Sequence, residues 1–248
     1  MIVIKSDAEI KLMREAGRVV ARVLDEVRQA VAPGVTTARL DKMAEDMCRK
    51  LGAVPAFKGY RGYPFSLCCS RNEQVVHGFP GQEPLEEGDI LSMDFGCILD
   101  GFYGDSATTV AVGQVSAEAA ELMRVTEASL MAGIEQARPG NRLGDVSAAV
   151  QEVVEAGGFA VVRQFVGHGI GRGLHEDPQV PNFGAPGRGV KLKPGMALAI
   201  EPMVNAGGWE VKILSDGWTA VTVDGKLSAH FEHTVAITDN GPEILSLP

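Results

Sequence analysis

Apolar residues recur at helical spacing in four parts of the chain, and short strand-like segments fill most of the rest. Apolar side chains three to four residues apart predict amphipathic helices at residues 7–31, 37–51, 116–137 and 142–156. Ser6 and Glu9 precede the first stretch at the spacing of a capping box. Turn-rich, β-prone segments include residues 89–95 and 102–112 and continue to about residue 238. The pattern predicts an α+β fold.

The order of elements occurs twice along the chain. Four short echoes appear in the same order, at separations of 110, 106, 105 and 107 residues: Leu12-Met13-Arg14 with Leu122-Met123-Arg124, Pro33-Gly34 with Pro139-Gly140, Gln74-Val75 with Gln179-Val180, and Gly88 with Gly195. Chance identity would explain any single echo, but the constant order favours a duplication. We therefore predict one domain over residues 1–248, built from pseudo-repeats at about 4–113 and 116–240 with a cleft between them.

Composition and charge narrow the class of protein. The 248 residues are 45% hydrophobic and 22% charged, an ordinary balance that argues against disorder. The net charge of −9 argues against a nucleic-acid-binding surface, which is normally basic. Charge soon interrupts the apolar start of the chain, and no long apolar run follows, so we expect neither a secretory signal nor a membrane span. No CxxC pair occurs among the four cysteines, which are Cys48, Cys68, Cys69 and Cys97. We expect their thiols to be reduced and the protein to be cytoplasmic.

Two acidic residues stand in apolar, strand-like runs of the first half. Asp94 follows the run 91–93, and Asp105 lies eleven residues later in the run 102–112. A strand, a turn through residues 99–101 and a returning strand would place the two carboxylates side by side. Like charges close together at low dielectric cannot both stay ionised without a counter-charge. Neither run contains Lys or Arg, so we expect a bound cation to supply the counter-charge.

The second half repeats this arrangement and adds an imidazole. Glu201 ends the apolar run 197–200, and Glu232 lies in the run 229–237. His168 stands between two glycines that let the backbone approach closely, and it is the best ligand candidate among the five histidines. Four carboxylates and one imidazole suit Mn²⁺, Fe²⁺, Co²⁺ or Zn²⁺ better than they suit a thiolate zinc site. Four negative charges exceed the need of one dication, so we predict two divalent ions per chain and hydrolytic chemistry.

Other catalytic signatures are weak or missing in the sequence. The glycine-rich stretch 167–173 lacks the Lys-Ser/Thr of a P-loop and does not match the dinucleotide-binding fingerprint. No GxSxG motif occurs, so a serine hydrolase is not supported.

The sequence around these residues resembles that of the pita-bread metallopeptidases and, within them, that of type I methionine aminopeptidase. The resemblance covers nearly the whole chain, and it is carried by GYRGYP at residues 59–64, Asn72-Glu73 with His77-Gly78, GHGIGRGLHE at 167–176 and LSAHFEHT at 227–234. It implies a single catalytic domain of two pseudo-symmetric α/β halves. A curved antiparallel sheet covered by helices would hold a metal site in the central cleft.

The resemblance also implies roles for the metal ligands. Asp94 would chelate one ion, and His168 and Glu201 would complete the other. Asp105 and Glu232 would bridge both. A metal-activated hydroxide would attack the peptide carbonyl while Glu201 shuttles its proton.

Substrate contacts follow from the same resemblance. His77 and His175 would bind the substrate amide and stabilise the tetrahedral intermediate. The side chain of methionine would enter a pocket lined by Tyr60, Tyr63, Cys68 and Trp218. Phe57, Tyr103 and Leu174 depart from the family pattern, which leaves the shape of the pocket open.

The implied activity is removal of the initiator methionine from nascent proteins whose second residue is small. The expected partners are peptides with an N-terminal methionine, and the expected state is a monomer. A contact with the ribosome through a local patch stays open. Two alternatives remain: an Xaa-Pro aminopeptidase or dipeptidase of the same fold, and an inactive module that binds peptide N-termini.

Overall fold

Four helices lie where the apolar pattern predicts them, within two residues at either end. The computed structural model describes residues 1–248, and its helices are α1 Asp7–Gln29, α2 Thr37–Lys50, α3 Ala117–Gln136 and α4 Leu143–Ala156. The capping box is confirmed, because Glu9 N donates to Ser6 Oγ at 3.4 Å and Ser6 N donates to the Glu9 carboxylate at 3.0 Å. No helix combines the length and the apolar character needed to cross a membrane.

Fifteen strands complete the chain, and they include both segments predicted in the first half. That half contains β1 Val54–Pro55, β2 Leu67–Arg71, β3 Gln74–Val76, β4 Ile90–Leu99 and β5 Phe102–Ala111. The second half contains β6 Ala160–Val161, β7 Gly167–Gly169, β8 Glu176–Val180, β9 Ala197–Ile200, β10 Met203–Asn205, β11 Val211–Ile213, β12 Ala220–Thr222, β13 Ser228–His230, β14 Glu232–Thr238 and β15 Gly241–Ile244. The α+β class is confirmed.

An antiparallel sheet of nine strands joins the two halves. Its order is β1-β4-β5-β14-β9-β7-β8, with β2 beside β4 and β15 beside β14. β4 and β5 form a hairpin through Asp100 and Gly101, whose φ angles of 49° and 77° suit a tight primed turn. The halves meet where β14 pairs with β5, at the pairs Glu232 with Ala107 and His233 with Ser106. Two three-stranded sheets, β13-β10-β6 and β11-β12-β3, complete the fold.

Helix α1 covers one face of the main sheet and leaves the other face for the site. Gly104 of β5 lies so close to α1 that an added Cβ would be 2.8 Å from the carbonyl carbon of Ala16. Because side chains alternate along a strand, the next residue, Asp105, points to the opposite face. The same helix approaches the end of the chain, where a Cβ on Gly17 would be 2.3 Å from the carbonyl oxygen of Leu245.

Equivalent backbone hydrogen bonds occur in the two halves. Gly34 N donates to Leu85 O at 2.8 Å, and Gly140 N donates to Leu192 O at 3.3 Å. Both glycines have positive φ, 88° and 97°, in the turn between the two helices of their half. The duplication stays a prediction, and these matched turns support it.

Replacing Gly17 by alanine should destabilise the protein, although alanine is the better helix former. In an open helix the change would stabilise by about 1 kcal/mol. Here the new methyl group would collide with backbone, so we expect a loss of about 1–3 kcal/mol in the free energy of unfolding, measured by urea denaturation.

Gly81→Ala is the matched control, because a Cβ at Gly81 would have nothing within 4 Å. Its free energy of unfolding should stay within about 1 kcal/mol of the wild-type value. An unchanged midpoint for Gly17→Ala would contradict the close packing of α1 on the C-terminal segment.

Candidate metal centre and substrate cleft

The five predicted metal ligands reach one cleft from neighbouring strands. Asp94 lies on β4, Asp105 on β5, His168 on β7 and Glu232 at the start of β14, while Glu201 follows the last residue of β9. All five line the same cleft. Both halves of the chain therefore contribute to it.

Strand register places three of these acids on a common face. Ala107 pairs with Asp94 on one side and with Glu232 on the other, so a small side chain separates two acids. Asp105 lies two residues before Ala107 and points the same way. Asp94 and Asp105 are therefore diagonal neighbours on the same face of the hairpin, side by side as predicted. Gly96 stands opposite Asp105 and leaves it room, since an added Cβ would be 3.3 Å from Asp105 Oδ1.

His168 is oriented as a metal ligand. Its Nδ1 lies 2.9 Å from the carbonyl oxygen of Gly169, which can only accept, so Nδ1 carries the proton. The lone pair of Nε2 then faces carboxylate oxygens, 3.4 Å from Glu201 Oε1 and 3.9 Å from Asp105 Oδ2. Ligand atoms of Asp105, His168 and Glu232 all lie within 4.8 Å of one another. Such a convergence of lone pairs suits a shared cation.

Burial raises the pKa of all four carboxyl groups. The pKa of Asp94 rises to about 7. For Asp105, Glu201 and Glu232, burial and then the charges of the neighbouring acids raise the pKa well above the usual range. The only basic side chains that pair with these acids are histidines.

Three of the buried acids also keep an oxygen without a hydrogen-bond partner: Asp94 Oδ1, Asp105 Oδ1 and Glu232 Oε1. An unpaired buried acceptor is costly, and a carboxylate among other carboxylates is more so. Divalent cations would satisfy these oxygens and offset the repulsion. The donor set therefore fits divalent metal.

The six predicted substrate-binding residues line the same cleft: Tyr60, Tyr63, Cys68, His77, His175 and Trp218. The Tyr63 hydroxyl donates to the Gly78 carbonyl oxygen at 3.0 Å. The part of Tyr63 that faces the neighbouring side chains is therefore its ring. The rings of Tyr63 and Trp218 meet edge to face at 5.1 Å. This wall is aromatic and uncharged.

His77 is fixed among aromatic rings in an uncommon backbone conformation. Its φ is 60°, and its ring lies 5.5 Å from the ring of Phe165 and 6.0 Å from that of Trp218. Burial lowers the pKa of His77 to about 4, so the ring is neutral at pH 7. A neutral imidazole has one N–H with which to donate.

His175 is positioned by Tyr60 and by the turn that contains Glu176. Its ring stacks on Tyr60 at 5.4 Å, and Nδ1 lies 2.9 Å from the Tyr60 hydroxyl. The next residue, Glu176, accepts from Lys5 Nζ at 2.7 Å and from Gly173 N at 3.0 Å. Because Lys5 and Glu176 are both largely buried, this ion pair ties the turn that presents His175 to the N-terminal segment.

Several residues of the cleft were not predicted: Arg61, Val76, Phe165, Val166, Met203 and His230. His230 Nε2 lies 3.8 Å from Glu201 Oε2 and has no hydrogen-bond partner. The signal for His230 was its place two residues before Glu232, on the same face of an extended segment. Among the departures from the family pattern, Phe57 and Leu174 line the cleft and Tyr103 does not.

The chain is closely similar to known proteins over its whole length. It is 58% identical over 247 residues to the methionine aminopeptidase of Clostridium perfringens, covering 100% of this chain and 99% of that protein. Methionine aminopeptidase 1 of Bacillus subtilis is 53% identical, with 99% of each chain covered. The crystal structure of methionine aminopeptidase from Thermotoga maritima has a TM-score of 0.98 and 52% identity, with both chains fully covered. The pita-bread expectation is confirmed. Residues 11–239 match metallopeptidase family M24, and the chain belongs to this family.

Proposed function

We propose that this chain removes N-terminal methionine from polypeptides whose second residue is small, with two divalent ions at the centre of its cleft. As a member of family M24 it is a metallopeptidase and uses divalent metal. The observation that carries the proposal is the cluster of Asp105, His168 and Glu232 ligand atoms within 4.8 Å, in a cleft whose wall is aromatic. Full-length identity of 58% to a methionine aminopeptidase supports the choice of substrate.

The proposed ligand roles agree with the order of the strands. Asp105 and Glu232 lie on the adjacent strands β5 and β14 and would contribute to holding both ions. Asp94 lies outward on β4, while His168 and Glu201 lie on the other side with β7 and β9. Bound divalent ions would lower the pKa of a water and polarise the scissile carbonyl. Mn²⁺, Fe²⁺, Co²⁺ and Zn²⁺ all suit this donor set.

Glu201 is placed to move a proton. Asn182 Nδ2 donates to the Glu201 carbonyl oxygen at 3.0 Å and fixes the backbone where β9 ends. In the metal-free cleft, burial raises the pKa of Glu201 above its usual range. In this proposal the Glu201 carboxylate takes a proton from water and gives it to the leaving amine.

The two histidines act as donors to the substrate in this proposal. In this proposal the Tyr60 hydroxyl, 2.9 Å from Nδ1 of His175, donates to that nitrogen, and Nε2 of His175 carries the proton that the ring donates to the substrate. His77 is neutral and offers its N–H beside the ring of Trp218. Donors that are already aimed at a developing oxyanion lower the barrier because they need no reorganisation.

The aromatic wall suits an unbranched thioether. The hydroxyl of Tyr63 is occupied by the Gly78 carbonyl oxygen, so it offers no free donor to the substrate. Burial raises the pKa of the Cys68 thiol, which stays uncharged. Sulfur packs favourably at the edge of aromatic rings such as Tyr63 and Trp218. The cytoplasmic location, the monomeric state and a contact with the ribosome stay predictions.

A panel of three peptides tests the activity. The Mn²⁺-loaded or Co²⁺-loaded protein should release methionine from Met-Ala-Ser and should leave Met-Lys-Ser and Ala-Pro-Ser intact, as measured by chromatography of the products. Cleavage of Ala-Pro-Ser alone would favour the Xaa-Pro aminopeptidase, and cleavage of none would favour the inactive binding module.

The variant His77→Ala should lose turnover and keep its metal. Loss of one donor to the oxyanion should lower kcat about 10²–10³-fold. Metal content, measured by atomic absorption, should equal that of the wild type, because His77 is not a proposed ligand. Glu73→Ala is the control at the other end of β3, with an exposed side chain outside the cleft, and should retain full activity. Unchanged kcat in His77→Ala would remove this residue from the mechanism.

Removal of metal should lower thermal stability. Mn²⁺ at about one hundred times its Kd should stabilise the metal-free protein by about 2.7 kcal/mol, or about 5–10 °C in Tm, because it relieves the repulsion among the acids. Asp105→Asn should lose most of this shift. Glu121→Gln, which changes an exposed acid on α3, should keep it. A wild-type Tm that does not respond to Mn²⁺ would exclude this metal centre.

A further inference from the structure

Arg61 is an unpaired cation at the edge of the cleft. It is the only lysine or arginine that lines the cleft, and its side chain is exposed. Its guanidinium lies 5.3 Å from the centre of the Tyr60 ring and forms no ion pair. Lys58, three residues earlier, is instead paired with Glu45 at 2.8 Å.

The backbone holds Arg61 in a conformation that residues with a side chain rarely adopt. Its φ is 51° and its ψ is 21°. The turn is closed by hydrogen bonds from Gly59 N to Tyr63 O at 2.7 Å and from Tyr63 N to Tyr60 O at 3.0 Å. Of the four non-glycine residues with positive φ, the other one that lines the cleft is His77. Backbone strain of this kind concentrates at ligand-binding positions.

A stack of rings relates Arg61 to the proposed catalytic groups. Tyr60 is near both, with its ring centre 5.3 Å from the Arg61 guanidinium and 5.4 Å from the centre of the His175 ring. The charge of Arg61 is also a cause of the lowered pKa of His175, second to burial. Each step of the stack corresponds to about one and a half residues of extended chain, at ~3.3–3.6 Å per residue. A departing chain that ran along this stack would bring its third and fourth residues toward the guanidinium.

No other group on the cleft wall competes with Arg61 for an anion. The four acids would be neutralised by bound metal, and burial keeps His77 and His168 uncharged, each with a pKa of about 4. The protein as a whole has a net charge of −9 and repels acidic chains. Near the Arg61 guanidinium an acidic chain is attracted and not repelled, within roughly one Debye length, ~10 Å at 0.1 M salt.

We propose that Arg61 makes the enzyme favour polypeptides with acidic side chains at the third and fourth positions. The inference rests on the proposed methionine aminopeptidase activity and adds a selectivity downstream of the cleaved bond. The guanidinium would bind a carboxylate of the departing chain, with bidentate geometry available to it.

Three amidated peptides measure this preference with the Mn²⁺-loaded protein: Met-Ala-Glu-Glu-Ser, Met-Ala-Gln-Gln-Ser and Met-Ala-Lys-Lys-Ser. Amidation removes the terminal carboxylate, which would otherwise mimic an acidic side chain. At about 0.05 M salt, kcat/KM for the Glu peptide should exceed that for the Lys peptide about two- to five-fold, with the Gln peptide between them. At about 0.5 M salt the three values should converge.

Two substitutions assign the effect to this side chain. Arg61→Met removes the charge and keeps an unbranched apolar stem, and it should equalise the three peptides. Arg61→Glu should invert the order. The control Lys58→Met removes a nearby cation that is outside the cleft and should leave the preference intact.

The outcomes separate this inference from the proposed activity. Failure to cleave the Gln peptide would overturn the proposed activity, since that peptide carries no downstream charge. Cleavage of all three peptides at equal rates by the wild type, or an unchanged preference in Arg61→Met, would overturn the role of Arg61 alone.

Discussion

Mutual repulsion among buried carboxylates is the constraint on which the arrangement of this protein depends. Four acids converge in the cleft, and burial raises the pKa of each, while the charges of neighbouring acids raise the pKa of Asp105, Glu201 and Glu232 further. The sheet has to hold them together against this repulsion. Hydroxyl groups at the junction of β5 and β14 help to do so, because Thr234 Oγ1 donates to Asp105 O at 2.7 Å and Ser106 Oγ donates to Glu232 O at 2.6 Å. Each of these bonds fixes the backbone of a proposed ligand from the opposite half.

The sequence predicted the helices and the identity of the acids, since both are local signals. Apolar spacing marked the helix faces, and an acid in an apolar run was visible at Asp94, Asp105, Glu201 and Glu232. Strand register, in contrast, is not determined by a local stretch of sequence. Alternation along a strand tells which face a residue occupies and leaves its partner on the next strand open. For that reason the sequence did not predict that Ala107 would separate Asp94 from Glu232.

Parts of the cleft could not be predicted for other physical reasons. Strands of two or three residues, such as β6 and β13, are too short to show a period. The positive φ of Arg61 and of His77 depends on the turns that contain them, and an arginine gives no signal for this conformation in the sequence. His230 was visible as a histidine, but its approach to Glu201 depends on the pairing of β10 with β13, which sets His230 opposite Met203.

Neither half of the chain contains a complete site. Asp94, Asp105, His77 and Tyr60 come from the first half, whereas His168, His175, Glu201 and Glu232 come from the second. The two halves are paired at two positions between β5 and β14 and at two more between β3 and β12. The first pairing holds proposed metal ligands from both halves, and His77 directly follows β3 at the second. A cation that strengthens the contact between the halves would therefore also limit the motion of the substrate donors.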